Sequence, residues 1–132
     1  VNELIKEKCI DALVRYLSAY RVIEGDIGFF DKFSKVRNFK EFEKAITQAM
    51  RVKDRVLSKL REGLSQGDYI LTLSEEGEHE EPNIDKLFNI GSSCLKRIYE
   101  LAEKDPELVA NYIASNALAW RGLKEVKKKT KE

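Results

Sequence analysis

The sequence predicts one mainly α-helical domain, a bundle of four to six helices carrying a small β insertion near Tyr69–Leu73. Three observations lead there. Apolar residues recur at steps of three and four along most of the chain. Only two prolines and seven glycines interrupt it, so long stretches are free of helix breakers. One short apolar, partly β-branched run breaks the helical period between turn formers. The 132 residues suffice for one domain and not for two, so 1–132 read as a single unit. With 42% hydrophobic and 36% charged residues the chain has the composition of a folded domain rather than a disordered one. Charges interrupt every hydrophobic stretch, so no membrane-spanning helix is expected and no membrane partner.

The first helix is expected from about Glu3 to Ile23, with Asn2 as its cap and Ile5, Cys9, Leu13, Tyr16, Tyr20 and Ile23 on one face. Gly25-Asp26-Ile27-Gly28 ends it, and Phe29, Phe30 and Phe33 mark a short helical piece tucked against the core. Asn38 opens the longest helix, from Phe39 to about Leu64, with Glu41 completing something close to a capping box. At 100° per residue from Lys40, its apolar residues Phe42, Ile46, Ala49, Val56, Leu57, Leu60 and Leu64 fall between about 160° and 260°, one core-facing stripe.

Asp68 to Ser74 reads as a strand, and a strand must pair. The sequence leaves two partners open: Leu87–Ile90, or an edge from a second chain, which would make a homo-oligomer. Residues 75–81 hold five glutamates and no apolar side chain and read as an exposed acidic loop. A further helix is expected from about Ser92 to Lys104. Asp105-Pro106-Glu107 then starts the last one, expected to reach about Val126 and to be buried on several sides. Residues 127–132 read as a flexible basic tail.

No catalytic constellation emerges, and neither an enzyme nor a cofactor is expected. His79 is the only histidine, set between Glu78 and Glu80 in the acidic loop, a poor place for a preorganised base or metal ligand. Gly25–Gly28 lacks the spacing and the Lys-Ser/Thr of a phosphate loop. Gly91-Ser92-Ser93 reads as helix N-capping rather than an anion site. The phenylalanine cluster reads as core packing, with base stacking as its alternative. Cys9 and Cys94 sit at apolar helical positions and read as small buried hydrophobes, a disulfide being the alternative.

The informative feature is uneven charge. The net charge is only +1, yet ten bases lie between Lys32 and Arg61 against three acids. On the expected long helix Lys40, Arg51, Lys44 and Arg55 fall at about 0°, 20°, 40° and 60°, opposite the apolar stripe, over roughly 22 Å. Such a row can track several phosphates of a nucleic-acid backbone; the ordinary alternative is a solvated helix face. Glu62 dilutes the row near its end. Arg121, Lys124, Lys127 and Lys128 offer a second contact at the C-terminal end. Lys and Glu occur 16 times each and Gln only twice, the pattern of thermophile proteins. No signal peptide is visible, so a cytoplasmic protein is expected.

Three segments, Gly28-Phe29-Phe30-Asp31-Lys32-Phe33, Phe42-Glu43-Lys44-Ala45-Ile46 and Ala114-Ser115-Asn116-Ala117-Leu118-Ala119-Trp120-Arg121, together with the split charge, resemble the small subunits of archaeal type I-A CRISPR effector (Cascade) complexes. The resemblance carries over no family residue. It implies a non-catalytic subunit of a nucleoprotein complex in antiviral defence, with the other subunits and crRNA or single-stranded DNA as partners. The alternative from a different class is a helical adaptor or oligomerisation module that touches only protein.

Overall fold

A computed structural model describes residues 4, 6–71, 84–120 and 122–125. They form α1 (Lys8–Glu24), α2 (Gly28–Ser34), α3 (Phe39–Arg51), α4 (Lys53–Gln66), β1 (Tyr69–Leu71), α5 (Ile84–Leu87), α6 (Ser92–Lys104), α7 (Pro106–Ala119) and β2 (Leu123–Glu125). The architecture is the mainly α bundle with a small β element that the sequence predicts. The Asn2 cap, the acidic loop 75–81 and the basic tail 127–132 lie outside the described residues.

The bundle is arranged around α7. Ala110, Ala114 and Ala117 on it are buried, and their small side chains admit α1, α2, α3 and α6 close to its axis. The helix starts as expected: the Leu108 amide donates to the Asp105 carboxylate at 3.1 Å, and Pro106 occupies the first turn. α1 is buried more completely than its one predicted face. Ile10, Ala12, Val14, Leu17 and Ala19 join Leu13, Tyr16 and Tyr20 in the core, because α4, α6, α7 and β2 all pack on it.

The long helix is corrected to two. α3 and α4 are separated by a one-residue break at Val52, whose backbone sits at φ −104°, ψ 9°. The physical cause is on α1. The buried Tyr16 hydroxyl donates to the Ala49 carbonyl at 2.7 Å, the acceptor that an unbroken helix would offer to the Lys53 amide. Val52, β-branched and costly in a helix, stands at the break. The two halves then pack differently, α3 on α2, α6 and α7, and α4 on α1 and β1. The apolar stripe survives the break, since Phe42, Ile46, Ala49, Val56, Leu57 and Leu60 are all buried.

The start of α3 keeps its cap in a modified form. The Glu41 amide donates to Asn38 Oδ1 at 2.9 Å, while the Glu41 carboxylate accepts from the Arg37 amide at 2.7 Å, one residue earlier than in a standard capping box. At the start of α6 the Gly-Ser-Ser segment caps the helix as expected, with Gly91 in the extended cap position, and no side chain adds a hydrogen bond there.

The strand pairs within the chain, and not with Leu87–Ile90. β1 pairs antiparallel with β2 in the register Tyr69–Glu125, Ile70–Lys124 and Leu71–Leu123. The last helix accordingly ends at Ala119, not near Val126, and Trp120 turns extended at φ −69°, ψ 133°. Two glycines permit this. A side chain at Gly122 would collide with the Trp120 indole, and one at Gly63 would collide with the Tyr69 ring that seats β1 on α4. Leu87–Ile90 is a helix end and a turn, held to α1 where the Arg15 guanidinium donates to the Leu87 carbonyl at 3.2 Å.

The cysteines are also corrected. Cys9 and Cys94 form a disulfide, with Cα atoms 5.2 Å apart, joining the first turn of α1 to the first turn of α6. Both are half-buried rather than buried. Beside it, Arg97 Nε donates to the Glu7 carboxylate at 3.0 Å. No helix among the described residues is long and apolar enough to cross a membrane.

The disulfide closes a sequence separation of 85, for which the chain-entropy account gives roughly 4–5 kcal/mol of stabilisation. Reduction, or replacement of both cysteines by alanine, is expected to lower the denaturation midpoint accordingly; equal midpoints with and without reductant refute it. Burial raises the Tyr16 pKa well above the ordinary tyrosine value. Past roughly pH 10 the unfolded chain therefore loses this proton while the folded one keeps it, and stability falls as pH rises. Tyr16→Phe is expected to cost about 1–2 kcal/mol at neutral pH and to make the alkaline fall shallower, both read from denaturation curves across pH.

Candidate nucleic-acid interface

The break at Val52 divides the predicted row of cations. Lys40, Lys44 and Arg51 remain on α3, all exposed. They are spaced by four and seven residues and so share one face over about 16 Å. None of the three takes part in an ion pair among the described residues. They line an open depression of about 550 Å³ with Asn38, Glu41, Glu43, Thr47 and Gln48.

Arg55 is on α4 and is committed elsewhere. Its Nε lies 3.4 Å from the Glu24 carboxylate, and Lys59 Nζ lies 3.3 Å from the same oxygen. Glu24 is in the last turn of α1, a position the helix dipole disfavours for a carboxylate, and its side chain is only 16% exposed. The two cations answer both costs. The sequence places Arg55 beside Lys44 only for an unbroken helix; Tyr16 removes that premise.

Lys124 is exposed on β2, opposite Ile70. β2 packs on α1 and β1 on α4, and Lys124 does not line the α3 depression. Arg121, Lys127 and Lys128 lie outside the described residues, as does His79. Among the described residues, no three His, Cys, Asp or Glu side chains are grouped to hold a metal ion.

Most other arginines of this surface already have acids. Arg37 pairs with Glu107 at 3.5 Å, Arg61 with Asp85, and Arg97 with Glu7 and Glu100. Arg97 is held more firmly charged by its hydrogen bond to Glu7. The remaining shifted groups are tyrosines: burial raises Tyr20, helped by its hydrogen bond to Asp26, and burial raises Tyr112. Tyr20 is buried in the core, and Tyr112 is half-buried against it.

The phenylalanine cluster is chiefly core. Phe30 and Phe33 are buried, and the half-buried Phe29 packs on Tyr20 at 4.7 Å between ring centroids. What sequence reasoning missed is Lys32 and Lys35 as neighbours of the α3 face. They line a second depression of about 370 Å³ between α2 and α3, with Glu41, Lys44, Ala45 and Gln48. The signal was present in the dense basic run from Lys32, but helical phase within one element says nothing about a neighbouring helix.

Comparison with known proteins adds no name to this geometry: no protein family, curated protein or solved structure matches the chain.

Glu24→Gln is expected to cost no more than about 1 kcal/mol, because Arg55 and Lys59 are half-exposed and remain hydrated. The loss is expected to shrink in high salt. A cost above about 3 kcal/mol in denaturation would show a buried charge network instead.

Proposed function

We propose that this protein is a non-catalytic helical subunit that contacts the phosphate backbone of nucleic acid through α3. The observation that carries the reading is the contrast in charge pairing: Lys40, Lys44 and Arg51 stand exposed and unpaired on one face, while Arg37, Arg55, Lys59, Arg61 and Arg97 are taken up by acids. Three free cations over about 16 Å match the reach of several phosphates of one strand. A contact of this size is weak alone and becomes effective inside an assembly, where tethering raises the local concentration.

The assembly we propose is an RNA-guided surveillance complex of the kind the sequence resembles, the type I-A CRISPR effector, with guide RNA or target DNA as the strand held. A net charge of +1 suits a subunit that works in such a complex better than a stand-alone binder. We place it in the cytoplasm of a thermophile. Intracellular disulfides are a feature of such organisms, and the chain combines one with abundant Lys and Glu.

The test is fluorescence anisotropy with a labelled single-stranded 20-mer across a salt series. Lys40→Glu, Lys44→Glu and Arg51→Glu together are expected to weaken binding at least tenfold and to flatten the salt slope by about 0.7 for each phosphate no longer neutralised. Equal binding by parent and variant, alone and with co-purified partners, overturns the proposal and favours the protein-only adaptor. Nuclease treatment during purification of the native complex then separates the two, since an adaptor keeps its partners and a strand-holding subunit loses them.

A further inference from the structure

The second depression alters the course that a bound strand would take. It adjoins the first, and the two share Glu41, Lys44 and Gln48, which together form the boundary between them. Lys44 therefore lines the same depression as Lys32 on α2 and Lys35 just past its end. Continuing along α4 instead, the strand would meet Arg55 and Lys59, both already on Glu24, and then Glu62.

The chemistry of the cleft between α2 and α3 suits a phosphodiester. Lys32, Lys35 and Lys44 are exposed amines around it, and Gln48 is half-buried. Lys32 Nζ donates to Gln48 Oε1, which ties α2 to α3 and leaves the Gln48 amide nitrogen as a donor with no partner among the described residues. Lys35 is held only by Asp31 at 3.4 Å, an exposed pair that costs little to give up. Glu41 is the one acid lining this cleft, with one carboxylate oxygen accepting from the Arg37 amide, and the three amines outnumber it.

Resting on the reading of α3 as a backbone contact, we propose that the strand turns off α3 at Lys44 and crosses the cleft to Lys32 and Lys35, and that the ligand is therefore single-stranded. The turn is what selects the strand. It must be made within the roughly 16 Å of α3, whereas duplex DNA stays straight over about 150 base pairs. A single strand bends at every nucleotide and follows both rows.

The experiment uses the full chain, a labelled oligo-dT 20-mer and an unlabelled 20-base-pair duplex as competitor. Lys32→Gln with Lys35→Gln is expected to weaken single-strand binding about tenfold and lower the salt slope by about 1.4, two phosphates at about 0.7 each. Lys96→Gln with Lys104→Gln on α6, as a charge-matched control, is expected to leave affinity within twofold. The duplex is expected to compete at least tenfold more weakly than unlabelled oligo-dT. Thermal melts confirm that both double variants fold.

Unchanged affinity in the Lys32/Lys35 variant overturns the proposal, as does an equal loss in the α6 control, which would mean diffuse attraction. Equal competition by the duplex overturns the choice of a single strand. If the α3 charge reversal abolishes binding while the Lys32/Lys35 variant binds unchanged or the duplex competes equally, only the crossing fails and the α3 contact stands. If the parent chain and its native complex bind neither probe, the α3 reading itself falls.

Discussion

The hydrogen bond from the Tyr16 hydroxyl to the Ala49 carbonyl governs both the core and the charged surface. A phenol buried on α1 needs an acceptor, because leaving it unmet costs about 1–3 kcal/mol. The acceptor it finds belongs to another helix's backbone ladder. Claiming that carbonyl interrupts the ladder at Val52, and the interruption lets α3 lie on α2, α6 and α7 while α4 lies on α1 and β1. One straight helix cannot serve both sets of neighbours.

The same break sorts the cations. On α4, Arg55 and Lys59 come within reach of Glu24, which needs them because it is largely covered and sits at the negative end of α1. Among the described residues, no acid pairs with Lys40, Lys44 or Arg51 on α3. Their inner neighbours, Phe42, Ala45, Ile46 and Ala49, are buried against α2, α6 and α7, so the outer face is left to solvent. The proposed interface is thus a face whose three cations the ion pairs of the fold leave out, although Glu41 and Glu43 line the same depression.

Two covalent or steric details close the rest of the bundle. The Cys9–Cys94 disulfide and the Arg97–Glu7 pair hold the entry of α1 against that of α6. The absent side chains at Gly63 and Gly122 admit Tyr69 and Trp120, so that a three-residue strand can pair with another three-residue strand next to the core. Neither short strand would be stable alone; α1 and α4 supply the surface on which they pair.

Local structure was legible in the sequence wherever the physics is local. Helical period placed the cores of α1, α3, α4, α6 and α7, and cap chemistry placed Asn38 and Asp105 at their helix starts. Tyr69–Leu71 was legible as strand because β-branched and aromatic residues stand between turn formers. Apart from the start of α1, at Lys8 rather than near Glu3, the misses involve residues distant in sequence. Inward-facing cysteines do not reveal that they meet, and Leu123–Glu125 continues a helical pattern until a partner strand claims its backbone. Likewise the helix reads as continuous through Val52 until Tyr16 meets the Ala49 carbonyl. Period, capping and composition act within a few residues, and they sufficed for the mainly helical class, the apolar stripes and the excess of cations around α3. Which of those cations stay free is settled at longer range. Pairing with Glu24, and the break that allows it, depend on side chains that folding alone brings together.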